Sequence, residues 1–112
     1  MREGTRVSVL EIQAIVGADP DGVLVAADGE IDLETAPRLT DWLNEAFASG
    51  QKKVVLDLSQ VSFMDSSGVT ALLVAHNEAE KIGIPLVLRS PTRQTRDLFL
   101  MTGLDQVFTI EA

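Results

Sequence analysis

Two adjacent serines, Ser66 and Ser67, stand between Asp65 and Gly68, just after an apolar run and just before residues at helical spacing. Hydroxyls in such a place raise two chemistries, nucleophilic acyl transfer and acceptance of a phosphate. Acyl transfer needs a G-x-S-x-G elbow and a histidine within reach, and Met64-Asp65-Ser66-Ser67-Gly68 lacks the first glycine. The single histidine, His76, lies further along the same predicted helix, about 15 Å away at a rise of 1.5 Å per residue, and reads as structural. A helix start instead favours anions, because its first N–H groups lack intrahelical partners and carry positive partial charge. A phosphate would be well held there by the backbone. Capping of the helix by one serine is the plainer structural role, and physics alone does not choose between Ser66 and Ser67 as acceptor.

These residues must be positioned by a strand and a helix. Val54, Val55, Leu56 and Leu58 form a short β-branched run of the kind buried on both faces, whereas Val69, Leu72, Leu73 and His76 recur at helical spacing. Upstream, residues 7–15 and 23–27 read as strands. Residues 18–22, Ala18-Asp19-Pro20-Asp21-Gly22, form a turn too short for a parallel crossover, so the two strands should be antiparallel. Leu39, Trp42, Leu43, Ala46 and Phe47 mark an amphipathic helix ending near Gly50, with Pro37 in its first turn and Thr35 as its expected cap. Asp32 lies just ahead of it, where a carboxylate can face solvent, and Trp42 reads as packing.

The central helix should close around Ile82-Gly83, followed by a strand at Leu86-Val87-Leu88. Ser90-Pro91-Thr92 then opens a helix with Thr95, Leu98, Phe99 and Thr102 at helical spacing, capped by Gly103, and residues 107–110 form a last strand. The result is a single α/β domain over residues 1–112 with the order β-β-α-β-α-β-α-β.

Composition narrows the function. At 112 residues and 46% hydrophobic content, one core is feasible and two are not. No run approaches the ~20 apolar residues of a membrane span, and residues 1–6 do not read as a signal-peptide core, so a cytoplasmic protein is expected. The absence of cysteine and the single histidine argue against a metal centre, and no cofactor is expected. A net charge of -8 without a basic patch argues against nucleic acid. Ten of the seventeen acidic side chains lie in residues 1–50, densest at Asp28, Glu30, Asp32 and Glu34.

Several features together carry a resemblance: a strand ending Leu-Asp-Leu, the Phe63-Met64 spacer, Asp65-Ser66-Ser67-Gly68-Val69 opening a helix, and Gly29-Glu30-Ile31-Asp32 upstream. Over nearly the whole chain the sequence resembles the STAS domain, in its single-domain form as an anti-sigma factor antagonist of bacterial partner-switching systems. The resemblance implies a mixed β-sheet with helices mainly on one face. It also implies a non-enzymatic switch: the unphosphorylated protein binds an anti-sigma factor that is also a serine kinase, and so releases the sigma factor. Phosphorylation on Ser66 ends that binding, and a serine phosphatase of the metal-dependent type resets it. Asp32, Asp65, Ser67 and Gly68 become the partner-docking residues. Many members of the family continue into a further C-terminal helix, whereas this chain ends at Glu111-Ala112. A second reading keeps the fold but makes the protein a constitutive STAS interaction module of a transport or signalling complex, never phosphorylated.

Other phosphate chemistries fit less well. Val55-Leu56-Asp57-Leu58 followed by Met64-Asp65 loosely echoes a receiver's phosphoacceptor strand, but a receiver follows its first strand with an acidic pair and a helix. Asp57 reads instead as a local acceptor at a strand end. No glycine-rich nucleotide loop occurs, and Arg89, Arg93 and Arg96 read as exposed surface arginines before they read as an anion site.

Overall fold

The computed structural model describes residues 8–20 and 22–112. Five strands form one sheet in the order β1-β2-β3-β4-β5, so each strand lies beside its sequence neighbour. β1 (Leu10–Asp19) and β2 (Gly22–Ile31) pair antiparallel, from Leu10 opposite Gly29 to Val16 opposite Val23. Every later pairing is parallel: β2 with β3 (Lys53–Met64), β3 with β4 (Leu86–Arg89), and β4 with β5 (Thr109–Glu111). Each parallel step needs a crossover, supplied in turn by α1 (Ala36–Phe47), α2 (Ser66–Ile82) and α3 (Arg93–Thr102). All three steps move the same way across the sheet, and crossovers share one hand, so the helices gather on one face.

That face holds the core. Val23, Val25, Val54, Leu56, Leu58 and Leu88 of the sheet meet Leu39 and Leu43 of α1, Leu72 of α2 and Phe99 of α3, all almost fully buried. Trp42 is half-buried and packs on the edge of this cluster, as its spacing suggested. His76 is likewise packing: it lies edge-on to Phe108, centroids 5.9 Å apart, and Phe108 lies edge-on to Phe99 at 5.2 Å.

Element order and sheet class are as expected, but four boundaries differ, each for a physical reason. Val7, the expected start of the first strand, lies outside the described residues; within them the β1–β2 hairpin extends further toward its turn, to Asp19 and Gly22. β2 runs to Ile31 and β3 to Met64, beyond the expected strand ends at residues 27 and 58. Asp28, Gly29 and Glu30 look like turn residues, yet they pair with Gln60, Val61 and Phe63 across two register shifts. Asp57 is therefore inside a strand; it is the local acceptor expected, its Oδ1 receiving Ser59 N–H at 2.8 Å, and it marks where β4 pairing stops. The last strand shrinks to three residues because Leu104–Gln106 form a short 3-10 helix that sequence spacing did not reveal.

The caps also sort differently. Gly83 and Gly103 end α2 and α3 in the left-handed conformation, and Thr92 caps α3. Thr35 stands at the start of α1, but its side chain does not cap. Its buried hydroxyl turns back to donate to Glu30 O at 2.7 Å and accept Asp32 N–H at 3.0 Å.

Candidate functional site

β2 and β3 end side by side, Ile31 opposite Met64, and the Asp65 N–H donates to Ile31 O at 3.1 Å. Asp32 and Asp65 are thus the first residues beyond two adjacent parallel strands, at the carboxyl edge where open α/β sheets place their sites. Sequence reasoning selected both acids, and the fold brings them together with the start of α2.

Asp65, and neither serine, caps α2. In extended conformation, its Oδ1 accepts Ser67 N–H at 2.8 Å and Gly68 N–H at 3.3 Å, while its carbonyl takes Val69 N–H at 3.2 Å. The capping role expected of one serine is therefore filled by Asp65, and the N–H groups expected to receive a phosphate already hold a carboxylate. Ser66 is the first residue of the helix and is exposed; its carbonyl accepts the Thr70 hydroxyl at 3.0 Å. Ser67 is half-buried and lines a groove. Exposure thus separates two hydroxyls that sequence could not.

Gly68, expected among the docking residues, is buried and faces inward. A Cβ there would fall 2.6 Å from Met64 Cγ and 2.9 Å from Ile31 Cγ2. Its part is to let the first turn of α2 settle onto the strand ends, because no side chain fits between.

Asp32 is engaged within its own loop. Oδ1 accepts N–H groups of Glu34 and Thr35 at 3.0 and 3.1 Å, and Oδ2 accepts the Ser8 hydroxyl. The Ser8 hydrogen bond, with the backbone donors, holds this carboxyl below its ordinary value of 3.8. A depressed carboxylate favours the fold above the ordinary value, and that contribution drains away as pH falls through the lower native value. Ser8→Ala should therefore raise the Asp32 pKa toward 3.8. A carboxyl-carbon NMR titration reads this, and an unmoved midpoint would remove Ser8 from the account. No sequence signal points to Ser8, which lies on another segment.

Between α1 and α2, beside Ser67, runs a mostly apolar groove of about 530 Å³. Leu33 and Pro37 form one wall, Ala71 and Val74 the other; Leu33 is 79% and Val74 58% exposed. Leu33, an apolar residue set between Asp32 and Glu34, was the available sequence clue to this surface. The three arginines have separate partners. Arg89 pairs with Glu111, Arg93 sits near Asp97, and Arg96 donates to Pro91 O. Among the described residues no helix is long and apolar enough to cross a membrane.

The monotonic five-stranded sheet, its three helices on one face and the capped serine turn at the carboxyl edge define a STAS-type α/β domain. Residues 10–112 match the STAS domain family model. The chain is 37% identical to the anti-sigma-F factor antagonist RsfB of Mycobacterium tuberculosis over 97 residues, covering 83% of this chain and 76% of that protein. The protein belongs to the STAS domain family, among the anti-sigma factor antagonists. A crystal structure of an anti-sigma factor antagonist from Mycobacterium paratuberculosis superposes with a TM-score of 0.78 at 29% identity, over 90% of this chain and 86% of that one. The fold is also that of SpoIIAA, with TM-scores of 0.74 for its unphosphorylated form and 0.69 for its phosphorylated form. The identities are 23% and 24%, over 91% of this chain and 88% and 91% of those.

Proposed function

We propose that this STAS domain is a phosphorylation-controlled antagonist of an anti-sigma factor, with Ser66 as phosphoacceptor. The observation that carries the reading is the placement of Ser66: an exposed hydroxyl on the first residue of α2, beside a capping carboxylate and next to an exposed apolar groove. The unmodified protein docks the anti-sigma factor over this turn and groove, burying Leu33 and Val74, and the sigma factor is freed. The anti-sigma factor is also the kinase and supplies ATP and magnesium. This chain is its substrate and has no catalytic role.

Phosphorylation adds about -1.5 to -2 charges and three acceptor oxygens. Because Asp65 already occupies Ser67 N–H and Gly68 N–H, the phosphate is directed outward, toward the docked partner. There it stands with Asp65 and Asp32 as a concentrated negative patch beside apolar contacts, and its desolvation opposes binding. The fold need not change for this to act. SpoIIAA shares the fold of this chain in both of its forms, which supports the same view. A metal-dependent serine phosphatase removes the phosphate, and the cycle runs in the cytoplasm.

The test is affinity isolation from the native cells using Ser66→Ala and Ser66→Glu forms. An anti-sigma factor with kinase activity should be retained by the alanine form and lost from the glutamate form. Equal retention of the same partner by both would replace the switch with a constitutive module.

A further inference from the structure

β4 pairs with β3 only from Val54 to Asp57, so the β3 edge facing β4 continues for seven residues that have no strand partner on that side among the described residues. At its last residue a side chain takes the place of a strand. Gln94, in the first turn of α3, accepts Met64 N–H on Oε1 at 3.0 Å and donates from Nε2 to Met64 O at 2.8 Å. The amide group thus satisfies both backbone groups of one residue, as a neighbouring strand would. Turning it over would set donor against donor and acceptor against acceptor, so the pairing fixes its orientation.

Met64 is the residue on which the serine turn rests. Its side chain is 1% exposed and forms the floor under Gly68, and its backbone leads directly into the Asp65 cap. Gln94 is itself held firmly, because α3 is capped by Thr92 and anchored through Thr95 and Phe99, both fully buried. From this geometry we infer that Gln94 is a positioning residue for the Ser66 turn, connecting α3 to the phosphoacceptor through Met64. The inference rests on the reading of Ser66 given above. Phosphoryl transfer depends on alignment of the attacking hydroxyl, and misplacement of about 1 Å can cost ~100-fold in rate. A loosened Met64 should therefore slow phosphorylation while the core stays intact. Gln94 is exposed, so a partner docked over the turn can also reach this amide.

The test uses Gln94→Met, which keeps the length and apolar stem of the side chain and removes both hydrogen bonds. Amide hydrogen exchange should accelerate about tenfold at Met64, with shifted amide resonances at residues 65–68 and unchanged exchange at residues 54–56. Gln94→Glu keeps an acceptor for Met64 N–H but sets a second carboxylate oxygen against Met64 O, so it should not restore the parent's Met64 exchange. Phosphate on Ser66 in native cells carrying Gln94→Met should drop about tenfold. Unmoved resonances at residues 65–68 would overturn the inference, and so would a loosened turn whose Ser66 phosphate matched the parent. If the parent protein itself carried no phosphate, the Ser66 reading would fail, and the exchange data alone would decide whether Gln94 sets the turn.

Discussion

Gly29→Ala should destabilise the protein by about 3 kcal/mol or more, because two penalties fall on one site. Gly29 has φ +128°, a conformation that residues with a Cβ rarely adopt, and a Cβ there would stand 2.1 Å from Val9 O. That oxygen is backbone, and it accepts Glu30 N–H at 2.8 Å, so it cannot move aside without breaking the strap that residues 8–9 lay over the end of β2. With an unfolding entropy near 2 cal/mol/K per residue, the midpoint of thermal denaturation should fall by roughly 13 °C. Gly50→Ala is the matched control: φ is +83°, but among the described residues no atom beyond its own chain neighbours lies within 4 Å of the added carbon, so backbone strain of about 1 kcal/mol is the whole expected cost. Equal losses in the two variants would remove the steric argument. The damage from Gly29→Ala should also reach the site, since displacing the strap takes Ser8 away from Asp32.

Val74→Glu should weaken binding of the anti-sigma factor about 100-fold while leaving the isolated protein's stability within about 0.5 kcal/mol. Val74 is more than half exposed on α2, so the free protein solvates the new carboxylate; docking over the groove, as proposed, would instead bury it against apolar surface. Ile82→Glu provides the comparison, because Ile82 is exposed at the far end of α2 and outside the groove, and its affinity should match the parent's. Calorimetry with the partner isolated on the Ser66→Ala form separates the two. Parent-like affinity for Val74→Glu would move the docking surface away from the α1–α2 groove.

Sequence spacing carried the helices well, because burial of a helix depends on one stripe of residues: Leu39, Leu43, Ala46 and Phe47 all face the core. Gly83 and Gly103 were legible for a similar reason, since few residues accept the left-handed backbone that ends a helix. The strands were harder. Ser59, Gln60 and Ser62 look like loop by composition, yet the irregular β2–β3 pairing keeps them in the sheet, with Leu58, Val61 and Met64 turned inward at intervals of three. Alternation cannot reveal a strand whose register shifts. The acids and serines of the site were visible as a motif, and the fold places Asp32, Asp65 and Ser66 at one edge. Their individual tasks were not visible, because each depends on a partner from another segment. Ser8 reaches Asp32 from the segment ahead of β1, Gln94 reaches Met64 from α3, and the buried Gly68 meets Ile31 from β2.

The central claim is that phosphate on Ser66 and partner binding exclude one another. Its most direct test is to separate the protein from native cells into partner-bound and free pools and localise phosphate in each by intact-mass and fragment-ion spectrometry. A single phosphate on Ser66 in the free pool, absent from the bound pool and from a Ser66→Ala strain, is the predicted result. Phosphate on Ser66 in the bound pool, or a free pool without phosphate under growth, starvation and stress, would contradict it.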